Sequence, residues 1–504
     1  MELLSTLSLL SLLLISILIL VSSWSKKSRK RRWPPGPWGL PFLGSIHHLL
    51  TSQPHAALRD LADKYGPVMY LRLGQIDTVV ISSPAAAQEV LQTNDLSFAS
   101  RPSMLVTEII CYNNLDVGFS PYGPYWRALR KLCTVELLST RRVRQLAPIR
   151  DRETMALLGE IGAAAGDGQA VNLSSLLISC ANNITGMATF GDRCSDERKR
   201  QFLSAMDVTI QYGSGFCVSD LFPSLRFLDS ISVFRLQRVH RHLDDLLDKI
   251  ITECEARQKV GDVGGEDDLL SVMLRIRDEQ ELEFPINTTN IKAVVVDLFM
   301  AGTETTSAAT EWVMSEFMKN PTVMEKAQME VRQAFNNTSP REHEVHMDKL
   351  PYTRMMIKET MRLYPPVPLL LPRICRETCE VGGFEIAKGT RVIINAWAMA
   401  RNPNYWEDAG EFMPERFENS MIDYRGTQFQ YLPFGSGRRM CPGSGFAITT
   451  LEFIVARLLY YFDWSLPSGM QPEELDMDMV VGASARRKNQ LRLMASPYNV
   501  SMNV

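Results

Sequence analysis

Residues Phe434 to Gly443 read FGSGRRMCPG, and the apolar run FAITTLEFIVARLLYYF begins at Phe446. One cysteine, Cys441, sits in this glycine-rich loop behind Arg438 and Arg439. A cysteine that only fills a core needs none of these neighbours. A thiolate benefits from all of them, because nearby cations and the amides of a helix N-terminus both stabilise its charge. The loop offers the two arginines, and a helix predicted from about Gly445 offers the amides. Gly435, Gly437 and Gly443 let the backbone approach a flat ligand closely, and Phe434 can cover the sulfur. The plain alternative is a structural cysteine in a turn.

A second stretch, Ala301 to Ser307 (AGTETTS), lies inside one long helical pattern from Asn290 to Asn320, ended by Pro321. The middle, AVVVDLFMAG, is apolar nearly all round, so this helix is predicted to cross the core. Glycine in a helix interior costs up to about 1 kcal/mol relative to alanine. Gly302 therefore asks for a reason, and room for a small ligand is one. Thr305 would then donate a hydrogen bond to that ligand, and Glu304 would feed protons through water. The alternative is a threonine bonded back to the preceding turn. Two further patterns say little alone: Glu359 and Arg362 share a helix face, and Trp126 and Arg130 stand one helical turn apart. Arg416 occurs in PERF, Pro414 to Phe417.

Together the motifs resemble the cytochrome P450 family. Its pattern F-x-x-G-x-R-x-C-x-G is met at Phe434, Gly437, Arg439, Cys441 and Gly443, and its oxygen-activation element at Ala301 to Ser307. The resemblance covers essentially the whole chain and implies a mainly α fold with a small β region, one haem domain. It implies haem b as cofactor, with Cys441 as axial thiolate ligand of the iron, a role such a thiolate can fill. By the same resemblance Trp126, Arg130 and Arg439, with Arg373 as a further candidate, meet the haem propionates, which want such donors. Phe434, Gly443 and Ala301 line the haem. Thr305 and Glu304 assist dioxygen activation, and Glu359, Arg362 and Arg416 lock the side of the pocket that carries the cysteine. Electrons are implied to come from NADPH through NADPH-cytochrome P450 reductase, docking by Arg127, Lys131 and Arg438.

The formal net charge of −3 over 504 residues gives no sign of bulk nucleic-acid binding. Nine scattered cysteines argue against a disulfide framework. Cys375 and Cys379 are the close pair and lack the partners a zinc site needs, so they read as reduced core thiols. From Leu3 to Val21 the chain carries no charge, close to the about 20 apolar residues of a membrane span. The basic stretch SWSKKSRKRR follows, which keeps that side cytosolic. Residues 1–22 are thus expected to be a single-pass anchor in the endoplasmic reticulum membrane. Residues 23–45 are expected to form a basic, proline-rich neck, and residues 46–504 a cytosol-facing haem-thiolate monooxygenase domain.

By the same resemblance, segments at 101–120, 296–305, 367–371 and around 480–483 line the pocket, and their apolar composition suits an apolar, membrane-soluble substrate. Stretches such as SPAAAQEVL look like grass oxidases of pimaradiene-type diterpenes, which act on a methyl group in steps. The same chemistry on another terpenoid, a phenolic or an amino-acid-derived substrate is an alternative. So is a haem or apolar-ligand binder without oxidase activity, although Thr305 and Glu304 argue against it. A cysteine hydrolase built on Cys441 would need a histidine base, and no histidine context carries such a signature.

Overall fold

A computed structural model describes residues 33–191, 195–213, 217–259, 268–279, 284–467, 469–482 and 484–498. The expected anchor, the basic part of the neck and Ala483 lie outside the described residues. Among the described residues no helix is long and apolar enough to cross a membrane.

The long helical pattern is realised as a central helix, Thr288–Lys319. It starts at a reciprocal cap in which the Asn287 and Asn290 side chains each accept the other's backbone N–H, at 3.0 and 2.8 Å. Such a box satisfies two otherwise orphaned amides. It stops at Asn320, before the helix Pro321–Phe335. Its apolar residues Ala293 to Val296 are all buried, as the sequence predicts. It packs most heavily against the helix Leu173–Phe190 and also against Ser444–Tyr461, the apolar run behind Cys441. A side chain at Gly302 would meet Thr185 at 3.4 Å. That is ordinary van der Waals contact, so Gly302 lies where the helix Leu173–Phe190 passes without that helix demanding a glycine.

Strand β1 (Val68–Leu73) and β2 (Ile76–Ile81) form a hairpin. The short strands β3 (Arg373–Ile374), β4 (Cys379–Val381), β5 (Phe384–Ile386) and β6 (Arg391–Ile394) follow. The four-stranded sheet runs β1-β2-β6-β3, with β6 parallel to β2 and the other pairs antiparallel. β4 and β5 make a separate hairpin. The proline-rich stretch lies on this sheet, where Tyr70 donates its backbone N–H to Pro35 O at 2.9 Å. The class is mainly helical with small sheets, as expected.

Candidate active site

The cysteine loop is built by its glycines and one backbone bond. Gly437 has φ +69°, and a Cβ there would collide with the Leu91 carbonyl and come within 3.0 Å of Asp95 Oδ1. Cys441 donates its backbone N–H to Phe434 O at 3.0 Å and so closes the loop. Gly443 caps the helix Ser444–Tyr461. Burial pushes the Cys441 thiol up; the Gly443 amide and the charge of Arg130 oppose that, and Asp297 adds to it. No histidine is among the groups that shift Cys441.

The charges that reach the sulfur are not the ones the sequence suggested. Arg438 is spent on Asp95, through its side chain at 2.9 Å and its amide at 3.0 Å. Arg439 turns away, stacks on Trp126 with its guanidinium 4.1 Å from the ring, and donates to the carbonyls of Ala99, Val117 and Ser120. Arg130, on the helix Pro124–Lys131, replaces them.

Buried cations gather beside this loop. Arg373 donates to Asp95 at 3.2 Å and to Ser436 O at 3.0 Å. Arg101, which sequence reasoning did not assign to the cofactor, donates to the carbonyls of Gly118, Leu371 and Pro372. Burial lowers all three guanidiniums; Arg439 falls to about 9, with Arg373 contributing, and Arg101 is lowered further by both. Three buried, mutually repelling cations with one Trp N–H beside them suit a ligand carrying carboxylates. Nothing local in the sequence distinguishes Arg101 from a solvated arginine.

The open side of the site is the central helix. Ala301 is exposed midway along a helix buried on both sides, and Thr305, one turn on, is partly open. Phe434, Cys441 and Gly443 are likewise incompletely covered. A flat group held by Cys441 fits this partly uncovered surface and the cation cluster. The Thr305 hydroxyl donates to Ala301 O at 2.6 Å. Its single proton is therefore used, and it meets a ligand as an acceptor rather than as the donor expected. Glu304 does not share that direction, since successive helix residues point about 100° apart. Its carboxylate accepts Arg486 Nε at 2.6 Å and Ser484 Oγ at 3.3 Å. A proton feed from Glu304 must first break that ion pair.

Glu359 lies at the centre of a buried ion network. Arg362 grips both its oxygens, at 2.7 and 2.8 Å, and Arg416 Nε adds a bond of 2.9 Å. Arg362 also holds the carbonyls of Ala400 and Ala409, each at 2.7 Å, and Glu411 O at 3.0 Å. The fork ties the helix Pro351–Leu363 to the segment 400–416 that leads towards the cysteine loop.

One hub was missed altogether. Asp297 on the central helix accepts the amides of Val117 and Gly118, at 3.1 and 3.0 Å. The carbonyls of the same turn, residues 117, 118 and 120, take Trp126, Arg439 and Arg101. Asp116, fully buried beside Asp297, accepts the Phe119 amide at 3.1 Å. Burial, then the charge of Asp297, push Asp116 well above the usual carboxylate range; burial moves Asp297 to about 6. Both folded values exceed the unfolded ones, so the pair's stabilisation is complete below about pH 4 and is lost as pH rises through 6 and beyond. Thermal melts of Asp116→Asn across pH 5–8 are expected to be flatter than those of the wild type, and equal slopes would remove Asp116 from this role.

The fold and site define a haem-thiolate protein, and comparison with known proteins agrees. A profile of the cytochrome P450 family matches residues 34–492. The chain is 59% identical to 9-beta-pimara-7,15-diene oxidase of Oryza sativa subsp. japonica, covering 98% of this chain and 97% of that one. It is 43% identical to premnaspirodiene oxygenase of Hyoscyamus muticus, covering 97% and 98%. A zebrafish cytochrome P450 solved with abiraterone superposes with TM-score 0.75 at 26% identity, over 89% of this chain and all of that one. The chain belongs to the cytochrome P450 family and is a monooxygenase of plant type. Membership implies haem iron with a cysteine thiolate ligand, an apolar substrate, dioxygen and a redox-partner reductase.

Proposed function

We propose that this monooxygenase oxidises an apolar diterpene of the pimaradiene type, in successive steps at one carbon. The observation that carries the reading is the near full-length similarity to an oxidase named for such a hydrocarbon. Haem bound through Cys441 would supply the dioxygen chemistry. Arg101, Arg373, Arg439, Arg130 and Trp126 would hold its carboxylates, all but Arg130 exchanging backbone carbonyls for them. Thr305 would accept a hydrogen bond above Ala301, and Glu304, freed from Arg486, would pass a proton to that side. Leu369, Leu370 and Leu371, the last exposed and the middle one against Gly435, would give the pocket an apolar wall.

A membrane location on the endoplasmic reticulum is part of the proposal. Trp38, Phe42 and Leu43 of the neck and Phe227, Leu228, Ile231 and Phe234 are all exposed. The β1–β2 turn joins the two groups, since Gly74 N–H donates to Leu43 O at 3.1 Å and Gln75 N–H to Leu221 O at 2.8 Å. Such an apolar patch suits a lipid surface, and the apolar residues 3–21 would add an anchor. Exposed Arg127 and Lys131 offer the reductase a basic face.

The test is turnover in microsomes with NADPH and NADPH-cytochrome P450 reductase. A pimaradiene hydrocarbon is expected to give alcohol, aldehyde and acid in sequence. NADPH-dependent products from other terpenoids, with none from the diterpene, would overturn the substrate. In the same assay Thr305→Ala is expected to bind haem normally but to convert most of its NADPH into peroxide. Unchanged coupling would remove Thr305 from the reaction.

A further inference from the structure

The pair Cys375 and Cys379 takes no part in the reaction described above, and the structure makes it more than two core thiols. Cys375 follows β3 and is fully buried, while Cys379 opens β4 and is partly exposed. The Cys375 sulfur lies against Glu377 O at 2.9 Å and Ile386 O at 3.6 Å. Ile386 is the cross-strand partner of Cys379, so the buried sulfur sits beneath the first rung of the β4–β5 hairpin. There the two thiols share a side-chain hydrogen bond. That bond lowers Cys379 and raises Cys375, which divides the pair into an accessible nucleophile and a shielded partner. Beside Cys375 runs a groove of about 420 Å³ that Arg101, Arg376 and Lys388 also line. Glu377 is the acidic group facing the pair and opposes thiolate formation at Cys379.

We propose that Cys379 and Cys375 form a peroxide-responsive dithiol that closes reversibly to a disulfide at the edge of the active site. In the first step the Cys379 thiolate attacks hydrogen peroxide. An S–O bond forms, the O–O bond breaks, and hydroxide leaves and takes up a proton. In the second step the Cys375 sulfur attacks that sulfur; the S–S bond forms, and the S–O bond breaks with loss of water. The two thiols are oxidised by two electrons in all, and peroxide is reduced to two waters. A dithiol reductant reverses the change. The closed form bears on the site because the same strand carries Arg373, and the neighbouring amides of Ile374 and Arg376 bind Ser100 O and Ser97 O, at 3.0 and 2.8 Å. The inference stands independently of the substrate proposed above.

The test uses the full-length reduced protein, limiting hydrogen peroxide, alkylation of the remaining thiols and trypsin digestion. Cleavage after Arg376 separates the two cysteines, so a disulfide leaves two peptides linked and lighter by two hydrogens. The linked pair is expected before Cys111, Cys133 or Cys180 changes, and it is expected to vanish with dithiothreitol. In Cys375→Ser a dimedone-type probe is expected to trap Cys379 as its sulfenic acid, and in Cys379→Ser the other thiol stays reduced. Wild-type protein in which Cys379 oxidises further without linking, or in which every cysteine reacts alike, would overturn the proposal.

Discussion

Cys441→Ala is expected to abolish the long-wavelength absorbance of the reduced carbon monoxide complex completely while the chain stays folded. The loop does not depend on the side chain for its shape. Its closing bond runs from the Cys441 amide to Phe434 O, and its turn is set by the left-handed Gly435 and Gly437. Alanine keeps both. What disappears is the one sulfur at the open face of the loop, and with it the strong electron donation that a thiolate gives to iron. The donors Arg101, Arg373, Arg439 and Trp126 remain, so weak haem association is expected to persist, with no thiolate signature. The measurement is a difference spectrum beside far-ultraviolet circular dichroism. A surviving long-wavelength band would mean that another cysteine holds the iron, and the assignment of Cys441 would fall.

Glu359→Ala is expected to cost about 3–5 kcal/mol, the cost of breaking a buried ion pair from one side. Glu359 and Arg362 have no exposed side-chain surface, and the Arg416 guanidinium is almost as deeply buried. Removing the carboxylate strands two positive charges where water cannot reach them. Domain stability is only about 5–15 kcal/mol, so most of the variant is expected to be insoluble or unfolded at 37 °C. Arg362→Lys tests the geometry: it keeps the charge but loses the fork that reaches Ala400, Ala409 and Glu411 together. Urea midpoints of the two variants and the wild type measure this. A midpoint for Glu359→Ala within error of the wild type would show that the triad is dispensable.

Much of this was legible before any coordinates. The central helix announced itself by an apolar run too long for a strand and by its proline stop. The Cys441 loop was legible because thiolate chemistry asks for a rare local combination of glycines, a cysteine and a following helix. Glu359, Arg362 and Arg416 were individually ordinary, and only the joint presence of their motifs with the cysteine loop gave them meaning. Gly302 stood out only because glycine is unusual inside a helix, and nothing along the chain reveals that the helix Leu173–Phe190 passes beside it.

By itself, then, the sequence determined the local chemistry: the cysteine, the glycines that admit a close ligand, the helical and strand periodicities, and the family they spell. The tertiary structure alone decided which charges meet. Arg438 went to Asp95, Arg130 came to Cys441, Glu304 was claimed by Arg486, and Arg101 joined Arg373 and Arg439. The physical reason is one of range. Backbone conformation and helix spacing follow from neighbours within a few residues, whereas the energy of a buried charge depends on groups up to hundreds of residues away, brought within a few ångströms only when the core packs.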